Sequence, residues 1–317
     1  MKKATIKTKL LTALLTLCMA LSLVPMSAFA ADSTVSTEAE LKAALENADC
    51  AVIKLGGNIE ITEGLDVERT VTLDLNGYTL NCSSTYEDLV LVRSSGSLTI
   101  KDSGTGGKID GQNKNCGFNV KGGTLTLESG SIVNCKTDGD GGAVDVSNTG
   151  VTETPIKYGK FIMNGGAIMD CTAYDDAGAV DIGSGCTFIM NGGIIGNCRA
   201  DDDGGAVFIK QRGYFELNGG VIQNCSAGNN GGAVNIYGDG RFTMTGGTIK
   251  GCKVDLGGLG NAVCGSNNKA VVTMTGGTFE DCGASPYSFD EFTVTFDSDG
   301  GSAVPEQKLR NAPAIKP

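Results

Sequence analysis

The sequence predicts an all-β protein, a right-handed parallel β-helix whose coils contain about 27 residues and three short strands. Cysteines recur every 27 residues through the centre of the chain, and a Gly-Gly pair, a Phe and an Ala-Val pair recur in step with them. Within each unit the apolar residues alternate with a period of two, which indicates strands. Because so short a unit cannot close its own core, we expect successive units to stack around one continuous interior.

The repeated residues mark equivalent positions in successive coils. Phe188 and Met190 point to one side of their strand and Ile189 to the other, so the pair is predicted to face the core. A helical repeat is excluded because every unit contains Gly-Gly. The equivalent cysteines, phenylalanines and Ala-Val pairs are Cys135, Cys171, Cys198, Cys225, Cys252 and Cys282; Phe161, Phe188, Phe215 and Phe242; and Ala143-Val144, Ala179-Val180, Ala206-Val207, Ala233-Val234 and Ala262-Val263.

The cysteine series is predicted to form an interior ladder of reduced thiols. Stacked Cβ atoms lie about 4.8 Å apart, the spacing of neighbouring strands. A disulfide prefers Cβ atoms about 3.5–4.5 Å apart. A flat file of one ligand type is also a poor tetrahedral metal site. We therefore interpret these cysteines as small apolar core residues.

The amino-terminal residues 1–30 are predicted to be a signal peptide. Lys2 to Lys9 form a basic segment, Leu10 to Met26 an apolar stretch, and Ala28-Phe29-Ala30 a small-x-small cleavage site. Residues 31–48 are predicted to hold a short helix, with Leu41 and Leu45 on one face, that caps the first coil. We assign residues 49–285 to the β-helix.

Composition narrows the possible functions. The chain has 25 Lys and Arg against 36 Asp and Glu, a net charge of −11, and no His. Nucleic acid and anionic lipid are disfavoured as partners because both need a basic surface. Mechanisms that need an imidazole are excluded. No segment after the signal peptide approaches the roughly 20 apolar residues of a membrane span.

Acidic turns precede the Ala-Val strands and are predicted to stack. Asp140, Asp176 and Asp203 would form a column, here called the acidic column, with one strand spacing between neighbours. Such oxygens are ligands for Ca²⁺, so the acidic column is a candidate calcium site. The alternative is that Asp and Asn are ordinary turn formers. The wider candidate ridge for a ligand or Ca²⁺ comprises Asp140, Asp145, Asp176, Asp181, Asp202, Asp203 and Asn230, with Asp145 and Asp181 facing outward on the next strand.

The repeats resemble those of known surface proteins. Phe161-Ile162-Met163-Asn164 and Phe188-Ile189-Met190-Asn191, alternating with Gly204-Gly205-Ala206-Val207, look like the FxxN and GGA(I/V) repeats of polymorphic outer-membrane-type adhesins. More broadly they resemble pectate-lyase-like right-handed β-helix proteins. Phe292 to Pro305 resembles the start of a Listeria–Bacteroides (internalin B-type) repeat. Residues 286–317 are therefore expected to be a small, incomplete β module.

The resemblance implies a secreted or cell-surface bacterial protein with a role in adhesion or glycan binding. We expect a glycan or another host or cell-surface ligand as its partner, and attachment to the cell wall through a C-terminal region beyond this chain. A Ca²⁺-dependent polysaccharide (pectate-type) lyase is the first alternative, with Arg199 or Lys210 as base. A structural stalk is the second. The residues favour a non-enzymatic role, because a lyase site usually interrupts the repeat and the acidic residues lie in its most regular part.

Overall fold

The computed structural model describes residues 32–83, 88–114, 116–255, 257–266, 269–283, 286–289, 292–294 and 307–309. The predicted signal peptide at 1–30 and most of the predicted C-terminal module at 286–317 lie outside these residues. Among the residues that the structure describes, no helix has both the length and the apolar character needed to cross a membrane.

Three long parallel sheets confirm the predicted right-handed β-helix. The chain passes from sheet A to sheet B to sheet C in every coil and then pairs with the coil before. Sheet A contains Ser33–Val35, Val52–Leu55, Thr70–Asp74, Ser97–Lys101, Thr124–Leu127, Lys160–Met163, Thr187–Met190, Tyr214–Leu217, Arg241–Met244 and Val271–Met274. Sheet B contains Ile59–Ile61, Thr79–Cys82, Lys108–Asp110, Ser131–Val133, Ala167–Met169, Ile194–Gly196, Val221–Gln223, Thr248–Lys250 and Thr278–Glu280. Sheet C contains Leu65–Val67, Asp88–Val92, Cys116–Lys121, Val144–Ser147, Val180–Ile182, Val207–Ile209, Val234–Tyr237, Val263–Ser266 and Tyr287–Phe289.

A fourth, narrow sheet lies between sheets B and C in the later coils and was not predicted. Each strand of this sheet, sheet D, has only two residues, too few for an alternating pattern to reveal it. Sheet D begins at Lys136, and none of the described residues of the preceding coils belongs to it. Its strands are Lys136–Thr137, Thr172–Ala173, Arg199–Ala200, Ser226–Ala227 and Lys253–Val254.

The predicted capping helix spans Glu38–Glu46. The Thr37 side chain accepts a hydrogen bond from Glu40 N at 3.3 Å, which caps the amino end. Leu41 is fully buried against the first coil. At the carboxyl end, Arg69 donates from Nε to Leu45 O and from Nη2 to Ala44 O, both at 2.7 Å, and so fastens the helix to the β-helix.

Identical side chains stack through the interior, as the repeat predicts. Phe161, Phe188 and Phe215 stack with ring centroids 4.8 Å apart, and Phe242 follows at 5.2 Å. The six cysteines of the series are buried, and none of them forms a disulfide with another described residue. Their interior position agrees with the prediction, and their redox state in solution stays a prediction.

A second ladder runs along the surface where sheet A turns into sheet B. Asn191 Nδ2 donates to Asn164 Oδ1 at 2.8 Å, and Asn218 Nδ2 donates to Asn191 Oδ1 at 3.0 Å. Thr245 Oγ1 continues the ladder to Asn218 Oδ1 at 2.6 Å. The side chains satisfy one another from coil to coil, which fixes the register of the stack.

The parallel stack continues beyond residue 285. Tyr287–Phe289 pairs in parallel with Val263–Ser266 in sheet C. After it, Phe292–Val294 pairs antiparallel with Gln307–Leu309. The described strands therefore change from parallel to antiparallel pairing between 289 and 292.

A three-residue 3₁₀ turn, Gly150–Thr152, lies in the loop that lengthens one coil between sheets C and A.

Candidate functional site

The acidic column holds neighbouring turns together. Asp140 Oδ1 accepts a hydrogen bond from Asp176 N at 3.2 Å, and Asp176 Oδ1 accepts one from Asp203 N at 3.0 Å. Asp203 Oδ1 accepts from the backbone N of Asn230 at 2.9 Å and from its Nδ2 at 3.0 Å. One oxygen of each carboxylate thus accepts a hydrogen bond from the backbone N–H of the equivalent turn in the next coil. The turns stack as the sequence predicts.

Asp202 lies beside the acidic column. Oxygens of Asp176, Asp202 and Asp203 lie within 4.8 Å of one another, a spacing in which carboxylates could hold a hard cation. The sequence predicts Asp140 as the third ligand beside Asp176 and Asp203. Among the described residues, the group that comes close enough contains Asp202 instead. The reason is geometric: Asp140 Oδ2 is turned towards Lys210 Nζ, 2.7 Å away.

Asp145 and Asp181 are cross-strand neighbours on the outer face of sheet C. We expected this row of outward residues, here called the outer row, to be exposed, but its later members are covered. Asp181 and Asn235 have no exposed surface, and Phe208 is 5% exposed. The acidic turns fold over the row, and Asp203 Oδ2 accepts a hydrogen bond from Asn235 Nδ2 at 3.0 Å. The outer row runs Asn119, Asp145, Asp181, Phe208 and Asn235.

Lys210 connects the acidic column to the outer row. Its Nζ donates to Asp140 Oδ2 at 2.7 Å and to Asp181 Oδ2 at 2.9 Å. The other oxygen of Asp181, Oδ1, is buried and has no hydrogen-bond partner among the described residues. The carboxylate is therefore only half satisfied, which is costly in a protein interior.

Burial makes these carboxyl groups weak acids. It raises the pKa of Asp181 to about 8, although the Lys210 ammonium opposes the rise. It raises the pKa of Asp145 to about 6, against the attraction of Lys210 and with the repulsion of Asp88. It raises the pKa of Asp176 to about 7, while the hydrogen bond from Asp203 N opposes the shift. The charge of this region therefore changes across the neutral pH range.

Lys210 and Arg199 are poorly suited to act as a base. Burial opposes the charge on Lys210, but the charges and hydrogen bonds of Asp181 and Asp140 outweigh it and raise its pKa. Arg199 is engaged by Asp201 and Asp255, each at 3.1 Å. Neither cation is placed as a free proton acceptor beside the acidic column.

A cavity of about 490 Å³ opens beside Asp145, where sheet D begins. We call it the Asp145 cavity. Later in the outer row the side chains are covered, whereas Asp145 faces this opening. The residues that line the cavity are the acids Asp88, Asp138, Asp140 and Asp145, the amides Asn113 and Asn119, the amines Lys114 and Lys136, and Thr137 and Gly139.

Sequence reasoning found Asp140 and Asp145 but missed most of this cavity. Asp88, Lys114 and Asn119 belong to coils that precede the regular 27-residue spacing, so no periodic signal points to them. The available signal was the break in the period itself, because the residues before Cys135 do not follow the later spacing.

A comparison with known protein families gives a match in the part of the chain that contains the Asp145 cavity. Residues 32–167 match the family model of the pectate lyase-like adhesive domain, so this region is similar to that family. No curated protein and no solved structure gives a significant match. The family match and the parallel solenoid together support a pectate-lyase-like β-helix and a surface, adhesin-like character. The whole lining of the Asp145 cavity lies inside the matched region.

Proposed function

We propose that the protein is exported to the cell surface, where its β-helix acts as a rigid adhesin that binds a glycan. The observation that carries this proposal is the match of residues 32–167 to an adhesive domain. The fold supports it, because stacked coils keep surface groups at fixed spacings and present them without a large ordering cost. The proposed signal peptide at 1–30 would direct export. The proposed internalin B-type module at 286–317 would contribute to presenting the β-helix at the cell surface.

Binding to glycans is the first test. Purified protein comprising residues 31–317 would be applied to a glycan array and to intact cells that display the bound glycans. We expect saturable binding that the free glycan competes. Absence of binding to every glycan and cell type would overturn the proposal and favour the structural stalk.

Calcium is a proposed ligand of the group Asp176, Asp202 and Asp203, on the basis of its oxygen spacing. A Ca²⁺ titration followed by thermal unfolding tests it. If the ion binds the folded protein, the melting temperature rises with Ca²⁺ concentration. Asp202→Asn should abolish the rise, whereas Asp175→Asn, a change at an exposed neighbour in the same turns, should leave it intact. A melting temperature that is insensitive to millimolar Ca²⁺ would reject the ion as a ligand.

Export is tested separately. Expression of the full chain in a bacterial host, followed by fractionation, should place a shortened protein outside the cytoplasm. The amino-terminal sequence of that product should begin near Ala31. Retention of the full-length chain in the cytoplasm would contradict this part of the proposal.

A further inference from the structure

The Asp145 cavity exists because the turn layer over sheet C begins abruptly. Before Cys116–Lys121 the described residues 111–114 form a short turn, whereas the next coil first forms the sheet D strand Lys136–Thr137. Residues of both connections line the same cavity. In later coils each turn lies on another, so the outer row is covered. Here the first turn has no such neighbour, and the row opens to a small ligand.

Several polar groups of the cavity are already committed to protein partners. Asn119 Nδ2 donates to Asp88 Oδ2 at 3.2 Å, and Asn119 Oδ1 accepts from Ser147 Oγ at 2.9 Å. Asp140 uses both of its oxygens, one for Lys210 and one for Asp176 N. These contacts hold the wall of the cavity in place before any ligand arrives.

Asp145 differs from its neighbours because its carboxylate is uncommitted. It is partly buried, yet it accepts no hydrogen bond from any residue that the structure describes. A carboxylate in this position is an acceptor that awaits a donor. The cavity therefore combines a preformed wall with one available acceptor, the arrangement expected of a small-molecule site.

The charges of the lining restrict the class of ligand. Four carboxylates face two amines, Lys114 and Lys136, so an anionic ligand is disfavoured. Lys136 is further occupied by the ring of Tyr174, whose centroid lies 4.7 Å from Nζ. A single metal ion is also disfavoured, because among the described residues only Asp176, Asp202 and Asp203 bring three acidic groups close enough to surround one. A neutral molecule rich in hydroxyl donors is neither an anion nor a metal ion, and it can donate hydrogen bonds to the carboxylates.

We infer that the Asp145 cavity binds a neutral hexose unit of a surface glycan, with the Asp145 carboxylate accepting from its hydroxyl groups. The volume of about 490 Å³ lies within the roughly 300–1,000 Å³ typical of small-ligand sites and accommodates a sugar ring. The exposed ring of Tyr174 contacts Lys136, one of the lining residues, so an aromatic side chain lies next to the lining of the cavity. The inference rests on the proposed glycan-binding function and assigns it a site and a sugar class. Uronic-acid polymers, which are anionic, are disfavoured by the same charges.

The test compares sugars and variants on the same array. Oligomers of glucose, galactose and mannose are placed beside oligogalacturonate, and the protein comprising residues 31–317 is measured with Asp145→Asn and with the matched control Asp175→Asn. Both substitutions remove one carboxylate without changing size, but Asp175 is exposed in a turn outside the cavity. Thermal unfolding of all three proteins verifies that each is folded.

We expect binding to at least one neutral oligomer and none to oligogalacturonate. Asp145→Asn should weaken the affinity for that oligomer about tenfold or more, because a charged hydrogen bond is lost, and Asp175→Asn should leave it unchanged. Binding that survives Asp145→Asn, or that is as strong for oligogalacturonate, would overturn the inference while the proposed function stands. Absence of binding to any glycan on the array or on cells would reject the proposed function as well.

Discussion

The early coils, up to Lys121, and the later coils, from Thr124 onwards, use one architecture but treat their acidic residues in opposite ways. In the early coils burial opposes the charge of Asp74, but hydrogen bonds from Ser103 N and Asn76 N outweigh it and lower the pKa. In the later coils burial raises the pKa of Asp176 and Asp181. The regular repeat of the later coils causes this difference in pKa. It places carboxyl groups of successive coils above one another and covers them with equivalent turns.

The two regions also differ in what they contribute: the later coils supply stability, and the junction with the early coils supplies the proposed binding site. The later coils build uninterrupted ladders, and every added coil extends contacts that already exist. The early coils are irregular, and the Asp145 cavity lies at the junction between the two regions, where the described strands of sheet D begin. In a solenoid, a departure from the repeat is therefore the place to look for a site.

The largest expected effect concerns the aromatic ladder of the later coils. Phe188→Ala removes a fully buried ring that stacks on both Phe161 and Phe215, and we expect it to lower the free energy of unfolding by about 3–5 kcal/mol. Leu98→Ala, at the equivalent position of the early coils, should cost about 2–3 kcal/mol because a smaller side chain is lost. Denaturant unfolding followed by far-UV circular dichroism measures both. A larger loss for Leu98 would show that the early coils carry more of the stability.

The Lys210 contact lies within the later coils and reaches back to the Asp140 turn beside the Asp145 cavity, where the two regions meet. Lys210→Met removes the cation and the hydrogen-bond donor beside the buried Asp181, whose carboxyl group must then stay protonated. We expect a loss of about 2–3 kcal/mol in the free energy of unfolding. The double variant Lys210→Met/Asp181→Asn should recover much of that loss, since an amide is neutral without taking up a proton. Equal losses for the single and double variants would mean that Lys210 contributes by packing alone.

The sequence could predict features that recur in every coil, but not contacts that occur at a single place in the fold. The 27-residue spacing is enough to place Phe188 in the core and Asp176 under Asp203, because both follow from stacking equivalent residues. It could not predict that Lys210 reaches Asp140, since the two lie 70 residues apart and in different positions of their coils. The covered state of Asp181 was also out of reach, because it depends on how a turn folds over a neighbouring face.

A smaller effect is expected from pH, with opposite signs in the two regions. The raised pKa values of Asp145, Asp176 and Asp181 mean that the folded state binds extra protons above the unfolded value of about 3.9. Their contribution to stability is therefore present at low pH and is lost as pH rises from about 4 to about 8. The lowered pKa values of Asp74 and Glu38, the latter about 2, contribute above their unfolded values and are lost in stronger acid.

The melting temperature should consequently peak near pH 4 and fall by several degrees towards pH 8. Thermal unfolding in a series of buffers of equal ionic strength measures this profile. Asp176→Asn should flatten the decline on the neutral side without changing the acid side. A melting temperature that rises steadily from pH 5 to pH 8 would contradict the raised pKa values.

The smallest effect concerns one residue that departs from the repeat of the later coils. Ala177 has φ of 62°, while its equivalents Gly204 and Gly231 are glycines with φ of 70° and 65°. An alanine in this conformation is strained by about 1–2 kcal/mol, and the greater freedom of glycine in the unfolded chain offsets part of the gain on its removal. We therefore expect Ala177→Gly to raise the free energy of unfolding by about 0.5–1 kcal/mol. Gly204→Ala is the converse, because its added Cβ would lie 2.6 Å from Val207 O, and it should destabilise the protein. If Ala177→Gly were destabilising, the methyl group would contribute packing that exceeds the strain, and this departure from the repeat would belong with the stabilising contacts.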